Sequence, residues 1–114
     1  MTSRQPAEPF KRIKVDEAKR LIEKEKAPII DVRTPEEYSG GHVPGAMLIP
    51  VDSLYTRIDD LPKNKSLVFI CQVGQRSALA CEIAAAMGVG EQSQIYNVEG
   101  GTEAWIKQGY PVER

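Results

Sequence analysis

Leu67-Val68-Phe69-Ile70-Cys71-Gln72-Val73-Gly74-Gln75-Arg76-Ser77, followed by the alanine-rich run from Ala78 to Met87, is the stretch whose reading decides the fold. Its four leading apolar residues read as a buried strand, and the helix formers after them read as a helix. Cys71 therefore falls where a strand stops and a helix starts. A helix opens with backbone N–H groups that lack intrahelical acceptors, and its aligned peptide dipoles place roughly half a positive charge there. A thiolate is an anion that such an end stabilises.

An unperturbed cysteine has a pKa of about 8.5 and is mostly protonated at neutral pH, whereas a helix start with a neighbouring cation lowers that value by roughly one to several units. Each unit is about 1.4 kcal/mol of preference for the charged form, enough to make the thiolate the majority species. Gly74 takes positive φ readily, so the chain can curl and turn successive N–H groups inward around the sulfur. Arg76 adds a permanent positive charge at the far rim, and Ser77 is expected to cap the helix.

Loop length separates two chemistries. Protein tyrosine phosphatases and their relatives place five residues between the cysteine and the arginine, usually with a histidine before the cysteine. Here four residues lie between Cys71 and Arg76, and Ile70 stands in the histidine position. One residue fewer removes up to about 3.5 Å of contour. The tightened ring suits one extra sulfur atom on the cysteine better than a phosphate or arsenate group.

With these residues in hand, the chain resembles the single-domain rhodanese family, sulfurtransferases of the thiosulfate-using type. The resemblance rests on four blocks in family order: Asp31-Val32-Arg33-Thr34-Pro35-Glu36-Glu37-Tyr38, Gly41-His42-Val43-Pro44-Gly45-Ala46, the loop from Cys71 to Ser77, and Glu99-Gly100-Gly101-Thr102-Glu103-Ala104-Trp105 leading to Gly109-Tyr110-Pro111-Val112. It implies an α/β, three-layer fold with a mostly parallel sheet of about five strands and helices on both faces. It also implies sulfane-sulfur transfer from thiosulfate or another persulfide donor, through a persulfide on catalytic Cys71, to cyanide or a thiol. Gln72, Val73, Gly74, Gln75, Arg76 and Ser77 would hold the substrate, with no cofactor and no metal. The partners so implied are a small anionic sulfur donor and a thiol acceptor, together with a protein that carries a persulfide. The alternatives are a persulfide carrier or sensing module without turnover of its own, and a cysteine-dependent phosphatase or arsenate reductase.

The rest of the chain is consistent with that organisation. The 114 residues suffice for one domain, expected over residues 11–114 behind a flexible tail at 1–10. A net charge of -1 gives no basic footprint for nucleic acid or an anionic membrane. The polar, proline-containing start has no apolar segment of signal or spanning length, which points to the cytoplasm. Cys71 and Cys81 have neither zinc-ligand nor Cys-x-x-Cys spacing.

Arg12-Ile13-Lys14 reads as a short strand and Val15 to Glu25 as an amphipathic helix. Pro28 to Arg33 reads as a buried strand that ends near the same rim as Cys71. Asp31 and Arg33 there read as an ion pair that orders neighbouring loops, behind the site. Thr34, Pro35 and Glu37 form a helix start with a capping box, and Met47 to Pro50 is a further short strand. The apolar spacing of Leu54, Ile58 and Leu61 predicts a helix over Val51 to Leu61, stopped by Pro62. Lys63-Asn64-Lys65 reads as a solvated turn. His42, the single histidine, reads as structural because sulfur transfer between thiolates needs no general base on the nucleophile. Cys81 reads as a small buried hydrophobe, with Gly88 closing its helix. Ile95 to Val98 reads as the last parallel strand, and Trp105 as core.

Overall fold

The computed structural model describes residues 8–89 and 94–114. Its strands are β1 (Lys11–Ile13), β2 (Ile29–Asp31), β3 (Met47–Leu48), β4 (Leu67–Ile70) and β5 (Ile95–Val98). They form one five-stranded sheet in the order β1-β5-β4-β2-β3, and every pairing is parallel. The helices are α1 (Val15–Glu25), α2 (Pro35–Ser39), α3 (Gln75–Ala86) and α4 (Gly101–Lys107).

β4 is central and all of its residues are buried, which is why it reads as an uninterrupted apolar run. Its alternation assigns the two faces of the sheet. Leu67, Phe69 and Cys71 belong to a core with Ala80, Cys81 and Ala84 of α3, whereas Val68 and Ile70 belong to another with Val15, Ala18 and Leu21 of α1 and Trp105 of α4. Helices thus cover both faces. The register sets Asp31 beside Ile70 and Asn97 beside Phe69, so the ends of β2 and β5 flank Cys71. This is the carboxyl edge of a parallel sheet, where sites gather.

Most of the expected elements form where the sequence places them, and α1 and the capped start of α2 match to the residue. The helix expected over Val51 to Leu61 does not form. Two 3-10 turns, Val51–Ser53 and Ile58–Asp60, occupy its place. Polar side chains there bond locally and compete with an α-helical ladder: the Thr56 hydroxyl donates to the Ser53 carbonyl at 3.0 Å, and Arg57 Nε donates to Asp60 Oδ2 at 3.0 Å. Leu54 and Leu61 still reach the core from these turns, so apolar spacing alone did not discriminate. Of the tail expected at 1–10, residues 1–7 lie outside the described residues, and Phe10 is buried in the core beside α3. Among the described residues, no helix is long and apolar enough to cross a membrane.

If the 51–61 segment is an irregular strap anchored by a few side chains, cost should follow burial and not helical position. Leu54→Ala, at a site with no exposed surface, should lower stability by about 2–5 kcal/mol in urea unfolding. Tyr55→Ala, at a residue 59% exposed, should stay within about 0.5 kcal/mol of the parent.

Candidate active site

Cys71 leaves the end of β4 and the chain turns at once into α3. Gly74 precedes the helix with φ of 110°, a left-handed conformation that glycine adopts without strain. This curl brings the Gly74 N–H to 3.1 Å from Cys71 Sγ. Ser77 sits inside the first turn of α3, and its hydroxyl lies 3.3 Å from the same sulfur. The expected capping role of Ser77 is therefore corrected. Gly74 occupies the cap position with no side-chain cap, and the Ser77 hydroxyl is turned toward the sulfur.

The loop keeps its N–H groups inward because its carbonyls are held outward. The Cys71 carbonyl accepts from the Thr102 N–H at 2.8 Å and the Thr102 hydroxyl at 3.1 Å, and the Gln72 carbonyl accepts from the Glu103 N–H at 3.1 Å. Gly74's carbonyl accepts from Asn97 Nδ2 at 3.2 Å. Gly101 makes the approach of α4 possible: a Cβ there would lie 2.5 Å from both the Cys71 and Gln72 carbonyl oxygens. The start of α4 thus grips the loop from outside.

Burial raises the Cys71 thiol pKa, but the Ser77 hydroxyl and the amides of Ser77, Gly74 and Val73 outweigh it, and the net displacement is downward. Ser77 has one hydroxyl proton and two acceptors in reach, Cys71 Sγ and Asn97 Oδ1. The Gly74 carbonyl fixes the orientation of the Asn97 amide, so Asn97 presents its oxygen to Ser77. A charged sulfur competes for that proton better than an amide oxygen, so ionisation of Cys71 draws the hydroxyl toward it. Cys81 is the contrast, since burial among apolar groups pushes its thiol far up.

The remaining expected residues divide into pairs and rim. Asp31 and Arg33 are both buried and bonded, with Arg33 Nη2 at 2.8 Å from Asp31 Oδ2. Arg33 also donates to the Gly41 carbonyl at 2.8 Å and to Gln72 Oε1 at 3.1 Å, tying the Gly41 turn to the loop. Gln72 therefore turns its side chain toward Arg33. Val73 and Gln75 are exposed. Arg76 is not a free cation at the rim: Nη1 and Nη2 donate to Glu37 Oε1 and Oε2 at 2.8 and 2.9 Å. Glu37 is itself fixed by the Thr34 capping box. His42 stacks on Tyr38 with ring centroids 3.6 Å apart, and its Nδ1 lies 2.8 Å from the Tyr38 carbonyl.

Cys71 is 1% exposed, and clefts open on either side of its loop. One of about 240 Å³ is bordered by Arg33, Glu37 and Gln72, and one of about 250 Å³ by Val73, Gly74 and Asn97. Among the described residues, no cluster of His, Cys, Asp and Glu side chains is placed to hold a metal ion.

The rhodanese-like domain family matches residues 14–108 of the chain. The protein belongs to the rhodanese-like family. Its relatives include a protein named sulfurtransferase from Allochromatium vinosum, 33% identical over 95 residues that cover 83% of this chain and 86% of the relative. A rhodanese-like domain protein from Staphylococcus aureus superposes with a TM-score of 0.75 at 39% identity, over 84% of this chain and 91% of that one. A third, from Rhodopseudomonas palustris, superposes with a TM-score of 0.78 at 28% identity, over 91% and 85% of the two chains, and bears the name possible tyrosine phosphatase. Family membership and the relative named sulfurtransferase support a sulfurtransferase-type role.

Sequence reasoning missed Asn97, Thr102 and the pairing of Glu37 with Arg76. A polar residue inside the run Ile95-Tyr96-Asn97-Val98 was the available signal for the first. Nothing local marks Thr102 as a grip on a loop 31 residues away.

Two outcomes follow. Ser77→Ala removes a hydroxyl that favours the thiolate and should therefore raise the Cys71 pKa, read from the pH dependence of its alkylation by iodoacetamide, while buried Cys81 stays unreactive. Bonded first to Arg76, the Glu37 carboxyl is lowered from 4.5 to about 2. A depressed carboxyl stabilises the fold above its unfolded pKa and loses that contribution as pH falls through its folded one. The stability difference between the parent and Glu37→Gln, measured by denaturant unfolding, should therefore be full above pH 4.5 and fade toward pH 2.

Proposed function

We propose that this protein moves sulfane sulfur through a persulfide on Cys71. The observation that supports this most directly is the pair of donors, the Gly74 N–H and the Ser77 hydroxyl, on a sulfur at the start of α3. The Cys71 thiolate attacks the outer sulfur of the donor, and a new S–S bond forms as the old one breaks. With thiosulfate the electron pair leaves on sulfite; with an organic persulfide it leaves on the thiolate. Neither step needs a general base, in keeping with a His42 engaged by Tyr38. The loop amides and Ser77 then support the negative charge of the persulfide. Cyanide or a thiol removes the outer sulfur and regenerates the thiolate, with thiocyanate or a new persulfide as product. A carrier that hands persulfide to a partner protein would use the same chemistry.

A phosphatase reading has one structural neighbour's name behind it. Against it stand the four-residue spacing from Cys71 to Arg76 and an arginine already filled by Glu37. Phosphoryl chemistry in such a loop needs that guanidinium for the transferring group.

Incubating the protein with thiosulfate and weighing it intact should show a gain of one sulfur that disappears on adding cyanide and is absent in Cys71→Ala. No adduct with thiosulfate or an organic persulfide, together with hydrolysis of an aryl phosphate, would overturn the reading.

A further inference from the structure

The Glu37–Arg76 pair joins two segments that the rest of the site keeps separate, the start of α2 and the start of α3. Both guanidinium Nη atoms are spent on both carboxylate oxygens. The arrangement is held on the carboxylate side as well, because Glu37 accepts from the Thr34 N–H at 3.0 Å and the Thr34 hydroxyl at 3.2 Å. Arg76 is close enough to the sulfur to sense its charge: its pKa is held up first by Glu37, and further by the charges of Cys71 and Asp31. It is the arginine of the first turn of α3, and its charge is matched by Glu37.

The other cations of the site are in the same condition. In the cleft beside Gln72, the lining Arg33 is matched by Asp31 and the lining Glu37 by Arg76, which leaves Glu36 without an ion pair among the described residues. In the cleft beside Gly74, Arg12 is matched by Glu8 at 2.7 Å, with Glu99 a further 3.9 Å neighbour. The first cleft is thus lined by one guanidinium, Arg33, and two carboxylates, Glu36 and Glu37, and the second by one of each, Arg12 and Glu99.

Resting on the sulfur-transfer reading above, we infer that Glu37 is a specificity-determining residue. By occupying Arg76 it disfavours a dianionic donor such as thiosulfate and selects a sulfane sulfur carried on carbon-bound sulfur, the organic persulfide class. Glu37 touches no reacting atom and acts through Arg76. The electrostatic discrimination scales with donor charge. A carboxylate and an unmasked guanidinium at this range change the rate constant for a dianion by roughly tenfold and for a monoanion by about threefold.

Thiosulfate and methanethiosulfonate test this directly, since they offer the same sulfane S–S bond with two negative charges and one. Glu37→Gln retains a side chain suited to the capping box, so α2 keeps its start. The kcat/KM for thiosulfate should rise about tenfold in this variant and that for methanethiosulfonate about threefold. Both gains should vanish in Glu37→Gln/Arg76→Gln. An unchanged ratio between the donors, or a gain that persists in the double variant, would overturn the inference. The parent protein supplies a check that needs no variant: its thiosulfate kcat/KM should hold or rise as salt is added, and a steep fall would also overturn it. Loss of the sulfur-transfer reading itself looks different, because then neither donor leaves a sulfur on Cys71 of the parent.

Discussion

Outward-held carbonyls are the constraint on which the site depends. A short loop between a strand and a helix can present either end of its peptide dipoles to its centre, and the choice decides whether an anion is welcomed or repelled there. Here Thr102 and Glu103 at the start of α4 take the carbonyls of Cys71 and Gln72, and Asn97 on β5 takes that of Gly74. The N–H groups are left facing the sulfur. The loop's anion-holding character is thus imposed by β5, which lies beside β4 in the sheet, and by the helix that follows it.

That origin explains how the charge on Cys71 is carried. The two guanidiniums nearest the loop each hold a carboxylate, Arg33 that of Asp31 and Arg76 that of Glu37. Both pairs act as braces: one ties the Gly41 turn to Gln72, the other ties α2 to α3. Support for the thiolate falls to fixed dipoles, the Gly74 amide and the Ser77 hydroxyl above all. Such groups are aimed before the sulfur ionises and need no reorganisation afterwards. A protein that shares this architecture at 28% identity bears the name of another chemistry, so the fold alone does not fix the reaction.

Much of this was legible in the amino-acid sequence. The apolar run Leu67 to Ile70 had to be central, and Gly74 had to mark the curl, because each is a local preference with few alternatives. The Thr34 to Glu37 capping box was equally local. Two kinds of feature escaped. The 51–61 strap has helical spacing, but Asp52, Ser53, Thr56 and Asp59 favour turns, and spacing weighed alone misled. Arg76 and Ser77 were assigned roles from chain neighbours, whereas their partners Glu37 and Asn97 come from 39 and 20 residues away. A side chain's own type fixes what it can bond, and only the assembled sheet fixes with whom.

The most direct measurement is a high-resolution structure of the protein after sulfur loading. The added sulfur should sit inside the loop on Cys71, accepting from the loop amides, with the carbonyls of Cys71, Gln72 and Gly74 still held by Thr102, Glu103 and Asn97. A sulfur projecting into solvent, or a loop that releases those carbonyls to admit it, would contradict the account.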